Sequence, residues 1–474
     1  MRYHDKKARP VRWRRCTDAG ARRRCAAACA LVGAVALGSG AACALPTGGQ
    51  VSAGSASIQQ SGSAMSIDQA TDRAAINWLT FGIASGESVR FNQPSSSSIV
   101  LNRVLGQDPS AIYGSLSANG QVFLLNPNGV LFAPGASVNV GGLVASTLQL
   151  SDSDFLAGNY TLTNGGAAGS VVNQGDLTAA NGGYIALVAP QVRNEGTINA
   201  PGGTVALAAG DQVTLNLSGA SLVGFTVDRG TLDALAENRQ IIRADGGQVL
   251  LSAKAADQLA RAVVNNEGII EAASLVSQGG VIRLEGSTIT NSGTLNVSGR
   301  DGANGGSIQA TGDFVGLGGT VAADGAQGGS IAVSSTGTLS LAGQTSATGT
   351  VGAGGSIAYN AGGMLVESTS SRNDVSGATD GGAIRVDAAG GIISSGSYVA
   401  QGLTGQGGAV DLSGYSVRLL STQIDASGAT QGGLVRIGGA FQGGKSPDPA
   451  AAWYDTFAGR WGRHPRSPTR QRRS

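Results

Sequence analysis

The chain contains 474 residues, of which 77 are glycine and only 4% are aromatic. A single large globular core normally buries many aromatic side chains, so this composition favours many small, similar layers. Glycine without a three-residue period, together with only 12 prolines, excludes collagen. The formal net charge of +2 conceals basic residues concentrated at both ends, ten of them among residues 1–24. The body between the two ends is therefore acidic, which argues against nucleic-acid binding.

The first 44 residues have the composition of an export signal peptide. Basic residues precede an apolar, small-residue stretch at 25–37, which leads to an Ala-Cys-Ala tripeptide at 42–44. Cleavage between Ala44 and Leu45 is expected to release the exported chain. A transmembrane anchor, the alternative, needs about 20 apolar residues, and the small residues at 38–40 interrupt this stretch.

All four cysteines lie before the expected cleavage point: Cys16, Cys25, Cys29 and Cys43. The exported chain is therefore predicted to contain no disulfide, unlike many small secreted domains. It must be held together by other interactions.

Residues 77–147 alternate between apolar and polar in short runs that turn residues separate, which indicates an all-β fold. Two apolar runs, Val122–Leu125 and Val130–Phe132, flank Asn126-Pro127-Asn128-Gly129. Asn at the first and third positions, Pro at the second and Gly at the fourth match the preferences of a type I turn. We therefore predict a local hairpin made of a strand, a tight turn and a second strand.

Six motifs follow one another in this region: Asn77-Trp78 with Phe81, Val89-Arg90-Phe91-Asn92-Gln93-Pro94, Leu101-Asn102-Arg103-Val104, Ser117-Ala118-Asn119-Gly120, Asn126-Pro127-Asn128-Gly129, and Val138-Asn139-Val140-Gly141-Gly142-Leu143-Val144-Ala145-Ser146-Thr147. In kind and order they resemble the secretion domain of filamentous-haemagglutinin-type exoproteins, the large proteins of two-partner secretion systems. One departure is Gly82, because the family often has Asn after the Phe. The resemblance implies a right-handed parallel β-helix, a solenoid, with small extra-helical hairpins near the N-terminus. It also implies a dedicated outer-membrane transporter as partner.

The same resemblance points to eight residues as candidates for transporter recognition: Asn77, Asn102, Arg103, Asn119, Asn126, Pro127, Asn128 and Gly129. For the last four, a purely structural role as a β-turn is the simpler interpretation. The functional interpretation is that exposed Asn side chains and strand edges of the unfolded chain pair with the transporter by β-augmentation.

A Gly-Gly doublet followed by a small or aliphatic residue recurs at intervals of 23, 26, 27, 26 and 25 residues, beginning at Gly305, Gly328, Gly354, Gly381, Gly407 and Gly432. Repeats of this length are typical of solenoids. We expect glycine to supply positive φ at the corners and the aliphatic residues to stack inward. The predicted domains are a secretion domain with early β-helix at 45–300 and Gly-rich β-helix repeats at 301–440.

Residues 441–474 differ from the repeats in composition. They are rich in arginine and proline and hold few residues that a core could bury, which predicts a disordered basic tail. Two interpretations remain open: a native basic tail, or an end produced by truncation or a frame-shift.

The ordered body lacks histidine and cysteine, because the only histidines are His4 and His464. Ser-His-Asp and Cys-His catalysis, and zinc sites using either ligand, are therefore excluded there, and no cofactor is predicted. Carboxylate chemistry stays possible, but the aspartates are scattered about one per repeat and are expected to be solvated turn residues: Asp301, Asp313, Asp324, Asp380, Asp387, Asp411 and Asp425.

Together these features predict a non-enzymatic exoprotein of adhesin or haemagglutinin type, exported via the periplasm and secreted or displayed at the bacterial cell surface. Its predicted partners are the outer-membrane transporter and receptors or glycans on host or bacterial surfaces. Two alternatives remain: the N-terminal portion of a contact-dependent growth inhibition toxin, and a carbohydrate-active β-helix enzyme.

Overall fold

A computed structural model describes residues 45–438 except 167, 258–260 and 277–278. The expected signal peptide, including Ala44, and the expected tail at 441–474 lie outside the described residues. Leu45 lies within them and is buried in the main hydrophobic core.

The described chain is almost entirely β. Its single helix, α1, spans Asp152–Ala157. The strands before α1 are β1 (Gln50–Ala53), β2 (Ala56–Ser61), β3 (Ala64–Gln69), β4 (Arg73–Trp78), β5 (Ser88–Asn92), β6 (Ile99–Val104), β7 (Ser110–Ile112), β8 (Ser115–Ala118), β9 (Gln121–Leu125), β10 (Val130–Phe132) and β11 (Ser137–Ser146). The strands from α1 to residue 299 are β12 (Thr161–Thr163), β13 (Val171–Asn173), β14 (Asp176–Ala189), β15 (Gln191–Asn194), β16 (Thr197–Asn199), β17 (Thr204–Ala209), β18 (Gln212–Ser218), β19 (Ser221–Arg229), β20 (Asp233–Asn238), β21 (Ile241–Arg243), β22 (Gln248–Ala253), β23 (Arg261–Asn266), β24 (Ile269–Glu271), β25 (Val281–Glu285), β26 (Thr288–Asn291) and β27 (Thr294–Asn296).

The later strands repeat a regular pattern of three per turn of the solenoid. They are β28 (Ser307–Gly312), β29 (Phe314–Leu317), β30 (Thr320–Ala322), β31 (Ser330–Ser335), β32 (Leu339–Leu341), β33 (Gln344–Ser346), β34 (Ser356–Ala361), β35 (Met364–Glu367), β36 (Arg372–Asp374), β37 (Ala383–Ala388), β38 (Gly391–Ser394), β39 (Ser397–Val399), β40 (Ala409–Gly414), β41 (Val417–Leu419), β42 (Gln423–Asp425) and β43 (Leu434–Ile437).

These strands form three faces, and one pass of the chain through all three is a rung. The first face contains β3, β5, β8 and the start of β11, and the second contains β4, β6, β9 and the end of β11. The third face is a 12-stranded sheet that runs from β7 to β41. Each strand pairs in parallel with its counterpart one rung away, so the predicted parallel β-helix is confirmed.

Alternation places the aliphatic side chains inside the solenoid. In β37, for example, Ile384 and Val386 are buried while Arg385 and Asp387 are exposed. In-register pairing then stacks Ile384 between Ile357 and Val410 of the neighbouring rungs. Such columns form one continuous core along the axis.

The hairpin predicted around residues 126–129 is wrong, although the turn itself is present. β9 pairs in parallel with β6 and β11, and β10 pairs in parallel with β7 and β13. The turn is therefore a corner between the second and third faces. Every residue of β9 is buried, as expected for a central strand covered on both sides.

Antiparallel pairing occurs at the N-terminal end and outside the solenoid. β2 and β3 form a hairpin, and β1 pairs with β4. A separate three-stranded sheet combines β12, β18 and β19. The expected extra-helical hairpins are thus observed.

This outer sheet and α1 cover the outward side of the second face. They form a second core in which Phe123 of β9 packs against Phe155 and Tyr160, with ring centroids 6.2 and 5.6 Å apart. Among the described residues, no helix has the length and apolar content needed to span a bilayer.

The Gly-Gly doublets need glycine for a different reason from the one expected. Positive φ occurs in two earlier doublets, at Gly202 and Gly246, but not in the six repeat doublets that begin at Gly305, Gly328, Gly354, Gly381, Gly407 and Gly432. In the later doublets a Cβ atom at the second glycine, such as Gly306, would overlap a backbone carbonyl oxygen of the preceding rung. Close approach between rungs, rather than backbone conformation, therefore requires glycine there.

Candidate functional site

The eight candidate recognition residues do not converge on one site. Asn77, Asn102 and Arg103 lie in β4 and β6 of the second face. Asn119 lies at the corner between β8 and β9, whereas residues 126–129 form the corner between β9 and β10. The structure therefore divides them between one face and the two corners that border it.

Asn126 holds the corner between the second and third faces from inside. Its side chain is fully buried, and Nδ2 donates to the carbonyl oxygen of Asp108 and to Ser110 Oγ, both at 3.0 Å. Its Oδ1 accepts from the backbone N–H of Asn128 at 2.9 Å, and its carbonyl oxygen accepts from the N–H of Gly129 at 3.0 Å. Asn126 thus closes its own turn and ties it to the preceding rung.

The remaining residues of the corner face outward or are confined by a neighbouring rung. Asn128 is exposed, and its Nδ2 donates to the carbonyl oxygen of Gly106 at 2.9 Å. Gly129 has φ +122°, a conformation that favours glycine. A Cβ atom on Gly169 would meet the backbone of the turn, including the Pro127 carbonyl oxygen at 2.6 Å. The motifs in the sequence did not single out Gly169.

Arg103 links three parts of the chain. Its guanidinium donates to Asn77 Oδ1 at 3.0 Å, to the Leu150 carbonyl oxygen at 2.6 Å and to Asp152 Oδ1 at 2.7 Å. Asp152 begins α1, so this side chain joins the second face to the segment that covers it. These hydrogen bonds give both Asn77 and Arg103 a structural role in the folded protein.

Asn119 is exposed but is held in place by the backbone of Gln93. Its Oδ1 accepts from the Gln93 N–H and its Nδ2 donates to the Gln93 carbonyl oxygen, both at 2.7 Å. Next to it, Gln121 is buried, and its Oε1 accepts from the Tyr184 hydroxyl at 2.6 Å. Burial raises the pKa of Tyr184 well above its ordinary value, so the hydroxyl remains a donor. The sequence motifs did not predict this contact, because Gln121 and Tyr184 are 63 positions apart in the chain and only the fold brings them together.

Accessibility separates the candidates into two groups. Only Asn119 and Asn128 are exposed, whereas Asn102, Asn126 and Gly129 are buried and the other three are half-buried. Contact of the buried side chains with a partner requires a chain in which these rungs have not yet formed.

Some of the described carboxylates are engaged in ion pairs. Glu271 accepts from Arg243 at 2.9 Å and from Arg300 at 2.6 Å, and Arg300 also pairs with Asp245 at 2.7 Å. Burial alone would raise the pKa of Glu271, but the hydrogen bonds from both arginines lower it overall. A general acid needs the opposite shift.

Asp411 departs from the expectation of a solvated turn residue. It lies in β40, is 6% exposed and pairs with Arg436 at 3.1 Å. Within the described part of the chain, no group of three or more His, Cys, Asp or Glu side chains is arranged to hold a metal ion.

Comparison with known proteins gives consistent matches to secretion domains. The family model described as TPS secretion domain matches residues 42–297. A Heme/hemopexin-binding protein of Haemophilus influenzae is 34% identical over 254 residues, covering 52% of this chain and 28% of that protein. A second protein of that name and species is 29% identical over 248 residues, covering 48% of this chain and 26% of that protein. The match thus spans only about a quarter of each relative.

One solved structure can be superposed on this chain over the whole of its own length. The crystal structure of the HMW1 secretion domain from Haemophilus influenzae superposes with a TM-score of 0.64 at 26% identity. The alignment covers 81% of this chain and 100% of that chain. The likeness therefore extends across most of the described solenoid.

Proposed function

Because this chain belongs to the TPS secretion domain family, we propose that it is exported by a dedicated outer-membrane transporter that recognises its N-terminal rungs. The observation that carries the proposal is the family match over residues 42–297, which contains all eight candidate recognition residues. The chain is then secreted, or displayed at the cell surface, after passage through the periplasm.

Burial of the candidate residues suggests the state in which recognition occurs. Asn102 and Asn126 are fully buried in the folded protein, so a transporter can reach their side chains only before folding. An unfolded chain also offers unpaired strand edges for β-augmentation. Folding rung by rung on the far side of the membrane would then favour outward movement, because apolar burial occurs only there.

Deletion of the partner transporter in the native host tests the first step. The chain should accumulate in the periplasm and disappear from the medium and cell surface, whereas an unrelated outer-membrane protein should assemble normally. Undiminished appearance of the chain in the medium would contradict the proposal.

The role of the corner at 126–129 needs a separate experiment. Combined replacement of Asn126 and Asn128 by Ala should reduce export if the turn contributes directly to recognition. Asn216→Ala, on exposed β18, serves as the control. Normal export of the double variant would assign the corner a purely structural role.

We further propose a non-enzymatic, adhesin-like function for the exported rod, with surface receptors or glycans as its partners. Its support is the long, regular solenoid. The relatives' names mention haem and hemopexin, but the match spans only about a quarter of each relative, so export is the property that we carry over. Binding of the purified chain to host cells, compared with an unrelated secreted protein, tests the adhesin role, and equal binding by both would contradict it.

A further inference from the structure

Five asparagines form a continuous column inside the solenoid, at the end of the third face. Each is the last residue of its strand, and the strands are β13, β15, β20, β23 and β26: Asn173, Asn194, Asn238, Asn266 and Asn291. In-register pairing stacks each of them on the next. All five are at most 2% exposed. These five residues are the asparagine ladder.

One side-chain hydrogen bond joins each member of the asparagine ladder to the next. Nδ2 of Asn173 donates to Oδ1 of Asn194, and the same bond recurs as far as Asn291 with lengths of 2.7–2.8 Å. All four bonds run in one direction, from the donor rung to the rung that follows it in the chain. Leu317 occupies the next position of the column, and there Nδ2 of Asn291 donates instead to the Gly293 carbonyl oxygen at 3.3 Å. The asparagine ladder therefore ends at Asn291.

The asparagine ladder lies where the rungs differ most in length. Its members are 21, 44, 28 and 25 residues apart. The longest of these rungs, between Asn194 and Asn238, contains the outer hairpin of β18 and β19. The Gly-Gly doublets of the later rungs, in contrast, recur at intervals of 23–27 residues. Within the ladder region, a uniform chain length per rung therefore cannot align one rung with the next.

A shift of one strand by two residues is the stacking error that apolar burial opposes least. Side chains in a strand alternate with a period of two, so such a shift keeps the same residues facing inward. The inward residues two positions before Asn266 and Asn291 are Val264 and Ile289, and both are fully buried. Shifting β26 by two residues would place Asn266 against Ile289. The amide of Asn266 would then lose its ladder acceptor inside the core, where an unpaired polar group is costly.

We propose that the asparagine ladder sets the register in which these rungs stack as the chain folds. Each newly formed rung presents a buried amide N–H whose acceptor is the asparagine of the next rung. A two-residue shift leaves that N–H without its acceptor, whereas the native register satisfies it. A buried asparagine in a coiled coil fixes register by the same physical means. The inference concerns folding of the chain itself and goes beyond the proposed export.

Disulfide trapping measures the register directly, because the exported chain is free of cysteine from residue 44 onward. Val263→Cys combined with Thr288→Cys reports the native register, in which these two half-buried residues are paired. Asn265→Cys combined with Thr288→Cys reports a shift by two residues, because their Cα atoms are about 8 Å apart in the native register, too far for a disulfide. Each purified exported chain is refolded from urea with oxidised glutathione, and the linked peptides are quantified by mass spectrometry.

Asn266→Leu combined with Asn291→Leu removes the last two ladder members and leaves both positions apolar. Asn238 keeps the Gln240 carbonyl oxygen as an acceptor at 3.1 Å. Replacing both partners of a buried hydrogen bond by apolar groups is close to neutral for stability, so a purely stabilising ladder predicts the native register in this variant. We expect instead that the shifted disulfide rises by about tenfold or more relative to the chain with an intact ladder. Ile289→Leu, a volume-conserving change on the same strand, keeps the ladder and should give the parent's ratio. A shifted disulfide no more abundant in the double variant than in Ile289→Leu would overturn the proposal.

A second variant keeps the test decisive if the double variant does not fold. Asn291→Leu removes only the terminal amide, and Asn266 keeps the Thr294 carbonyl oxygen as an acceptor at 3.2 Å. This variant should also raise the shifted disulfide, by a smaller factor than the double variant. A ratio equal to the parent's in folded Asn291→Leu would contradict the proposal.

Discussion

Trp78 Nε1 donates a 2.9 Å hydrogen bond to Asn102 Oδ1 inside the solenoid, where the two side chains are 1% and 0% exposed. Parallel register places Asn102 between Ile76 and Leu124, in an otherwise aliphatic column. The Nδ2 of Asn102 donates in turn to the Phe123 carbonyl oxygen at 3.3 Å. An amide predicted to contact a transporter therefore has a defined structural role in the folded protein.

Replacement of Asn102 by Ala should lower the free energy of unfolding by about 2 kcal/mol, because a buried N–H without a partner costs about 1–3 kcal/mol. Urea unfolding followed by circular dichroism measures the effect. Asn216→Ala on the exposed side of β18 should change the free energy by less than about 0.5 kcal/mol. Equal stability of both variants would show that the Trp78 hydrogen bond contributes nothing.

The two glycines of one doublet should respond differently to alanine. A Cβ atom at Gly280 would overlap the Ala272 carbonyl oxygen, whereas one at Gly279 would meet nothing within 4 Å. We expect Gly280→Ala to destabilise the chain by about 3 kcal/mol, because the added Cβ atom forces a backbone shift. Gly279→Ala should be neutral or slightly stabilising, because its unfolded state loses entropy. Similar melting temperatures for the two variants would contradict a requirement for glycine at this corner of the rung.

Acid should destabilise the solenoid in part through Glu271. Its pKa is lowered in the folded state, so its contribution to stability is complete above its unfolded pKa of about 4.5 and is lost as the pH falls through the lower folded value. Unfolding measured from pH 7 to pH 3 should show a shallower acid loss for Glu271→Gln than for the parent. Glu285→Gln, at a side chain that is 55% exposed, should keep the parent's profile. An unchanged slope in Glu271→Gln would rule out this contribution.

Glu367 should be intolerant of an apolar replacement. This carboxylate is 3% exposed and accepts from Ser371 at 2.7 Å, Asn373 at 2.6 Å, Ser394 at 2.5 Å and the hydroxyl of Tyr398. Glu367→Leu leaves these buried donors without an acceptor and should cost about 3 kcal/mol or more.

A double-mutant cycle with Tyr398→Phe tests whether the Glu367 interactions are coupled. Burial raises the pKa of Tyr398, so its hydroxyl stays a donor and its removal should relieve part of the Glu367→Leu penalty. Strictly additive effects in urea unfolding would contradict direct coupling.

Local sequence was sufficient to predict the solenoid but not its cross-section. The alternation in β37 and the spacing of the Gly-Gly doublets both indicated stacked β rungs. The same kind of evidence suggested that β9 and β10 pair with each other. Their true partners lie one rung away in either direction, and turn chemistry at Asn126 and Pro127 contains no information about that choice.

The candidate recognition residues also show what the sequence could predict and what it could not. The motifs identified Asn126 and Asn128 together, yet the fold buries the first and exposes the second. It also places Ser117 between Arg90 and Asn139 on the first face, although the three residues belong to different motifs. Side-chain exposure depends on which rungs stack above and below, and that is a property of the whole chain.

By itself, the sequence determined the β-helix class, the family resemblance, the absence of cysteine from residue 44 onward and the period of the repeats, because each depends on local patterns. Only the tertiary structure decided that β9 is covered on both sides and that the later doublets need glycine for close approach. These features arise from contacts between residues 20 or more positions apart, which packing brings together and which local propensities do not encode.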